Sequence, residues 1–129
     1  MNFVLDVSRM PDGSGAAVAN RFCTIGSDQN HIDLTPAANG DLVLGVVMDN
    51  LDAAKVVEGG AVDVRIMGIA AVVLGTGGAG PGGRLVTAPD GKAILGTTAA
   101  NFVAGIALQT GTAGAIIDVL LTPGVKWVS

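Results

Sequence analysis

Few side chains in this sequence of 129 residues could carry chemistry, and their spacing does not bring them together. His31 and Cys23 are the sole histidine and the sole cysteine. A nucleophilic triad would therefore need that one imidazole, and no GxSxG elbow supplies a serine for it. Cys23 has neither a disulfide partner nor metal-ligand spacing and reads as a small semi-buried hydrophobe. Asp28-Gln-Asn-His31-Ile-Asp33 has the look of a calcium loop. Such a loop needs glycine at its sixth place and glutamate at its twelfth, where this chain has Asp33 and Asn39. Asp49 and Asp52 form another oxygen pair and read as solvated loop acids. The run from Gly75 to Gly80, GTGGAG, fits GxGxxG, but a dinucleotide site needs its last glycine to open a helix. Here Pro81-Gly82-Gly83 follows, and Ala99 and Ala100 stand where the ribose-binding acid belongs. The run reads as a sharply turning connector, with no catalytic residue, metal site or cofactor expected.

Composition narrows the classes further. Hydrophobic residues make up 50% of the chain and charged residues 14%, which excludes a disordered polar chain. Aromatics are 3% and tyrosine is absent, so Val, Ala, Leu and Ile must fill the core. β-branched side chains among these pack best on a pleated sheet. Twenty glycines, about twice the average usage of roughly 7%, favour turns over long helices. Net charge is −4, and the seven basic residues stand singly, without the basic footprint that nucleic acid requires. The start, MNFVLDVSRM, lacks a basic leader. The longest uncharged run, Ile66–Gly83, ends in GTGGAGPGG and cannot span a bilayer as a helix. A chain made in the cytoplasm, with no membrane partner, is the expectation.

The elements that would position any site are short strands. LVLGVVM, AVDVRIMG with IAAVVLG, RLVTA, KAILG, FVAGIAL and AIIDVLL are each bounded by Gly, Pro, Asp or Asn. Asp63, Arg65 and Asp118 read as outward positions. The other runs are continuously apolar, as in strands covered on both faces. Pro89-Asp90-Gly91 predicts a hairpin turn between RLVTA and KAIL. Two stretches echo each other, Leu42–Gly68 and Phe102–Gly124, each with an early glycine (Gly45, Gly105) and a later Asp-Val pair. Helix is expected at most over Asp49–Val57, capped by Asp49 or Asn50, and over one turn at Thr97–Asn101. Residues 1–41 are rich in turn formers and read as an irregular N-terminal arm with two short strands. Residues 42–129 read as the body. The expected class is all-β and mostly antiparallel, a small β-barrel or compact sandwich in one domain.

In order, Gly82–Ala93 (GGRLVTAPDGKA), Val103–Leu108 (VAGIAL) and Gly114–Leu121 (GAIIDVLL) follow LVLGVVM and AVDVRIMG. From about Asp33 to Pro123 this succession resembles the small capsid decoration, or cement, proteins of tailed bacteriophages. The resemblance implies a non-enzymatic virion protein that adds to the outside of the mature head as a homotrimer. There it would bind the major capsid protein and hold neighbouring capsomers together. An N-terminal strand with Phe3, Val4 and Leu5 would add to a capsid sheet, or else serve as the first strand of the body. Phe22 and Trp127 are candidate contact aromatics, with capping of the core as the alternative. Another virion module, a head fibre base or tail component, fits the same pattern. From a different class, Lys55 in DAAKVV is similar to the modified lysine of biotinyl and lipoyl carrier domains. It lacks their flanking methionines and acidic hairpin.

Overall fold

Glycine, proline and the short polar residues interrupt the apolar runs every few positions, so strands form where helices would need longer stretches. The computed structural model describes residues 4–36, 38–96 and 102–126. Over these residues the fold is all-β, as the sequence predicts. β1 (Leu5–Pro11), β2 (Arg21–Ile25), β3 (His31–Asp33), β4 (Gly45–Val47) and β5 (Val62–Met67) close into a barrel, in the order β1-β3-β2-β4-β5. Neighbours are antiparallel except β1 and β3, which are parallel at Met10–His31 and Pro11–Ile32. Ala17, Cys23, Ile32, Val47, Val62 and Val64 fill the barrel. Its narrow interior suits small and β-branched side chains.

β6 (Ile69–Val73), β7 (Arg84–Thr87), β8 (Ala93–Leu95), β9 (Phe102–Ala107) and β10 (Ile116–Lys126) form a second sheet ordered β6-β10-β9-β7-β8. Taken from the other edge, that is the barrel's own order repeated. The parallel β1–β3 closure also has a counterpart, a single parallel bridge from Leu74 to Ala93 that ties the two edge strands together. Register carries over strand by strand. Cys23 pairs with Gly45 and Leu85 with Gly105; Val7 pairs with Val64 and Ala70 with Val119. The isolated bridge Ala17–Leu51 recurs as Ala79–Gly111. The six barrel-filling residues correspond in order to Ala79, Leu85, Ala93, Ala107, Ile117 and Val119, all in the second core. The chain is therefore a tandem pair of one five-stranded motif.

The echo noticed in the sequence is the last part of this repeat. Three residues after each glycine, a backbone N–H donates to the aspartate carbonyl, Met48 to Asp63 at 2.9 Å and Leu108 to Asp118 at 3.0 Å. Gly45 to Asp63 spans 18 positions and Gly105 to Asp118 spans 13; the difference is the length of the 5-residue helix α1 (Ala53–Val57). That helix is shorter than expected, with Asp52 at its N-cap. Asp49 and Asn50 do not cap it because their side chains accept from the Asp63 and Ala19 N–H groups, both at 2.9 Å. The turn expected at Thr97–Asn101 lies outside the described residues. The β7–β8 hairpin turns at Pro89-Asp90-Gly91 as predicted, with Gly91 at φ 82°.

The irregular N-terminal arm expected over residues 1–41 needs correction. From Leu5 onward this part supplies β1, β2 and β3, three of the five barrel strands. They were hard to see because β2 and β3 have only 5 and 3 residues. Their main pairings are also distant in sequence, as with Leu5 and Met67. The two units meet along the outside of β2 and β4, where Phe22 and Val46 join the second unit's core. The Phe22 N–H donates to the Gly91 carbonyl at 2.7 Å, and the Val73 N–H to the Asn20 carbonyl at 2.9 Å. Arg65 adds a bond from Nη1 to the Ile69 carbonyl at 3.0 Å and a two-point ion pair with Asp6, at 2.9 and 3.3 Å.

The two echoed glycines are sites of close strand approach. A methyl on Gly45 would run into the Arg65 carbonyl, and one on Gly105 into the Val119 side chain and the Leu120 carbonyl. Gly45→Ala and Gly105→Ala should each cost about 1–3 kcal/mol in urea unfolding. Gly15→Ala, with open space around it, should be neutral; equal effects at all three positions would contradict the packing. At the β2–β3 turn, His31 Nδ1 lies 2.7 Å from Asp28 Oδ1. That bond raises the His31 pKa above 6.5 and lowers that of Asp28 below 3.8. The pair thus contributes most above the unfolded Asp and below the unfolded His value, fading as pH rises through the folded His31 value or falls through the folded Asp28 value. Asp28→Asn should lower the His31 titration midpoint in NMR, and an unmoved midpoint would contradict the assignment.

Candidate functional site

The chemistry-bearing side chains stay apart in space. Cys23 is fully buried in the first core, with its thiol 3.7 Å from the Gly45 carbonyl. Burial pushes its pKa up to about 12, which keeps the thiol protonated and unreactive. His31 is engaged by Asp28 at the surface, and Asp28 Oδ1 also accepts from the Asn30 N–H at 2.8 Å. Among the described residues no three His, Cys, Asp or Glu side chains gather to hold a metal ion. The GTGGAG run links β6 to β7 without opening a helix; Gly77 and Gly78 have positive φ, and Ala79 bridges to Gly111. Lys55 lies within α1 instead of at a hairpin tip, so the setting of a carrier-domain lysine is missing. Among the described residues no helix is long and apolar enough to cross a membrane.

Of the five residues expected at a contact surface, Phe3 and Trp127 lie outside the described residues. Val4 and Leu5 are 42% and 46% exposed, just before and at the start of β1. Phe22 is corrected: at 1% exposure it packs between the two units and is closed to any partner. Its place on β2, alternating with Cys23, is the physical reason, since both faces of that strand are covered. The sequence reading also missed Met67, an exposed cross-strand neighbour of Leu5. Its signal was the outward parity it shares with Asp63 and Arg65.

Leu5, which Val4 precedes, begins a strand with an open edge. Antiparallel pairing sends the backbone groups of alternate residues to opposite sides. The Met10 N–H goes to Asn30 on the β3 side at 2.8 Å. Asp6 and Ser8, of the same parity, point to that side as well. β3 pairs with β1 only at Met10 and Pro11, because the turn at 27–30 ends it there. No described strand pairs with β1 on that side from Leu5 to Arg9; the Ser8 carbonyl instead accepts from Arg9 Nη1 at 2.8 Å. An exposed strand edge of this kind is a template for an added strand. The second unit shows a different surface. Leu120 and Ile116 on β10 turn outward and are exposed, opposite the inward Ile117 and Val119.

No protein-family profile matches the chain, and no curated protein sequence matches it. Among solved structures it is similar to the head fiber gp8.5 N base in bacteriophage phi29, with a TM-score of 0.68 and 17% identity. The match covers 93% of this chain and 95% of that one, so the likeness extends over both five-stranded units. At this identity the two proteins are shown to share a fold.

Proposed function

We propose that this chain is a structural protein of a tailed-phage head, seated on the outside of the shell as a homo-oligomer, a trimer, and cementing neighbouring capsomers. The fold shared with a head fiber base over nearly the whole of both chains carries this reading. The decoration-protein motifs at Gly82–Ala93, Val103–Leu108 and Gly114–Leu121 support it. The protein acts by binding, with no catalysis, cofactor or nucleic acid, and its partner is the major capsid protein. β1 offers the shell an edge on which an extended segment can add through main-chain hydrogen bonds, with Val4 and Leu5 beside it. One such contact is weak, and several per oligomer on a fixed lattice raise the avidity. A second reading, the base on which a head fibre is mounted, is favoured by the likeness to a head fiber base.

Heads lacking the protein, mixed with the purified chain, should gain surface density and release DNA at a higher temperature. Added density without the thermal shift would favour the fibre base, and no added density would overturn both readings. The edge has its own variants. Ser8→Pro removes an N–H that the β5 ladder does not use, so the variant should fold and bind heads roughly tenfold more weakly. Removing residues 1–4 should likewise leave a folded chain that binds less well. Removing residues 1–10 takes β1 from the barrel and should unfold the first unit. Undiminished head binding by Ser8→Pro would contradict the edge as the contact.

A further inference from the structure

Arg65 and Arg21 hold their guanidinium groups in the same way, and only one of the two arrangements is complete. Arg65 sends Nη1 to the Ile69 carbonyl at 3.0 Å. It turns the fork of Nε and Nη2 onto the Asp6 carboxylate, at 2.9 and 3.3 Å. Arg21, the first residue of β2, likewise sends Nη1 across the seam to a main-chain carbonyl, that of Asp90 at 3.2 Å. Its fork has no carboxylate. Nε is buried and makes no hydrogen bond among the described residues. A buried donor left unpaired costs free energy that a bound acceptor offsets. The five-stranded motif does not itself call for an arginine here. The register that matches Cys23 to Leu85 sets Gly83 against Arg21 in the second unit.

The side chain lines a cavity of about 220 Å³ at the seam. That is below the roughly 300–1,000 Å³ of pockets that enclose drug-sized ligands, and it suits a single side chain. Ala16, Val18 and Leu34 give it apolar walls for a methylene stem, and Arg21 gives it a planar pair of donors. Asp90 also lines the cavity, but its own carboxylate is engaged by Lys92, by the N–H at 3.0 Å and by Nζ at 4.0 Å. We propose that this cavity binds a carboxylate side chain, an aspartate or glutamate presented by a partner protein, on Nε and Nη2 of Arg21. Two parallel N–H donors match the two carboxylate oxygens, as Arg65 and Asp6 do within the chain. The Asp90 carbonyl holds the guanidinium in place before a partner arrives, which lowers the ordering cost of binding. The site stands on the geometry of Arg21 and goes beyond the head reading.

The test is NMR of the full chain, following the Arg21 Nε–H signal and the backbone N–H signals of Val18 and Leu34. The probe is acetyl-glutamate amide, raised to about 100 mM to cover the millimolar affinity of a single charged contact. All three signals should move together, with a midpoint on the order of 10 mM. The Arg65 Nε–H, whose fork Asp6 already fills, should stay fixed. Acetyl-glutamine amide, alike in shape and uncharged, should move none of them. Arg21→Lys keeps the charge and removes the fork, so the midpoint read at Val18 and Leu34 should rise at least about tenfold. Val18→Glu sets a carboxylate at the cavity wall and should move the Arg21 Nε–H signal without the probe and block the probe. It is the variant read if Arg21→Lys loses its fold. Signals unmoved by acetyl-glutamate amide, equal movement with acetyl-glutamine amide, or undiminished binding by Arg21→Lys would each overturn the inference. Tighter binding of acetyl-phosphoserine amide would overturn the carboxylate assignment. Heads take no part in the test, so its failure leaves the head reading standing.

Discussion

The packing of one five-stranded unit on the outside of the other is the interaction on which the rest of the structure depends. β2 and β4 lie at that seam and serve two cores, Cys23 and Val47 facing one and Phe22 and Val46 the other. A five-stranded unit of about 60 residues buries too little surface to be secure alone. The seam supplies the missing burial for the first unit and fixes where the second one sits. Arg65 reinforces it by holding Asp6 on β1 and the Ile69 carbonyl at the start of β6. Every surface considered for a partner follows from this arrangement. Phe22 is removed from the surface, the β1 edge is left open beside the β2–β3 turn, and Ile116 and Leu120 of the second unit are left exposed.

Much of this was legible in the residues, though only the last part of the repeat. Apolar runs bounded by Gly, Pro, Asp and Asn indicated short strands, and Pro89-Asp90-Gly91 placed the β7–β8 hairpin. Gly45 and Gly105 revealed the last third of each unit because close strand approach tolerates no side chain there, so the same residue recurs. Elsewhere the correspondence lies in register, and register tolerates substitution. Cys23 and Leu85 fill equivalent places, as do Ile32 and Ala93, with different volumes that a core can accommodate by repacking. The contact residues were harder to find. Phe22 looked like an interface aromatic, and only the pairing of β2 shows that both of its faces are covered. Leu120 and Ile116 share the outward parity read for Asp118, and the pairing of β10 shows them exposed.

Among the described residues the chemistry-bearing side chains are shielded or engaged one by one. Cys23 is shielded, and His31 is committed to a turn that it shares with Asp28. Lys55 belongs to an insertion that the second unit lacks. What the fold offers in their place is a short-turned β body whose strand edges and apolar faces are ordered before any partner arrives, which lowers the entropic cost of association. A protein that must occupy many equivalent places on a fixed lattice draws its hold from repeated modest contacts, and a molecule built from a repeated unit suits that task.

A density map of heads saturated with the chain, at a resolution that shows side chains, addresses the central claim most directly. The account predicts shell density along the β1 edge from Leu5 to Arg9. Chains lying on the shell through some other face would contradict it.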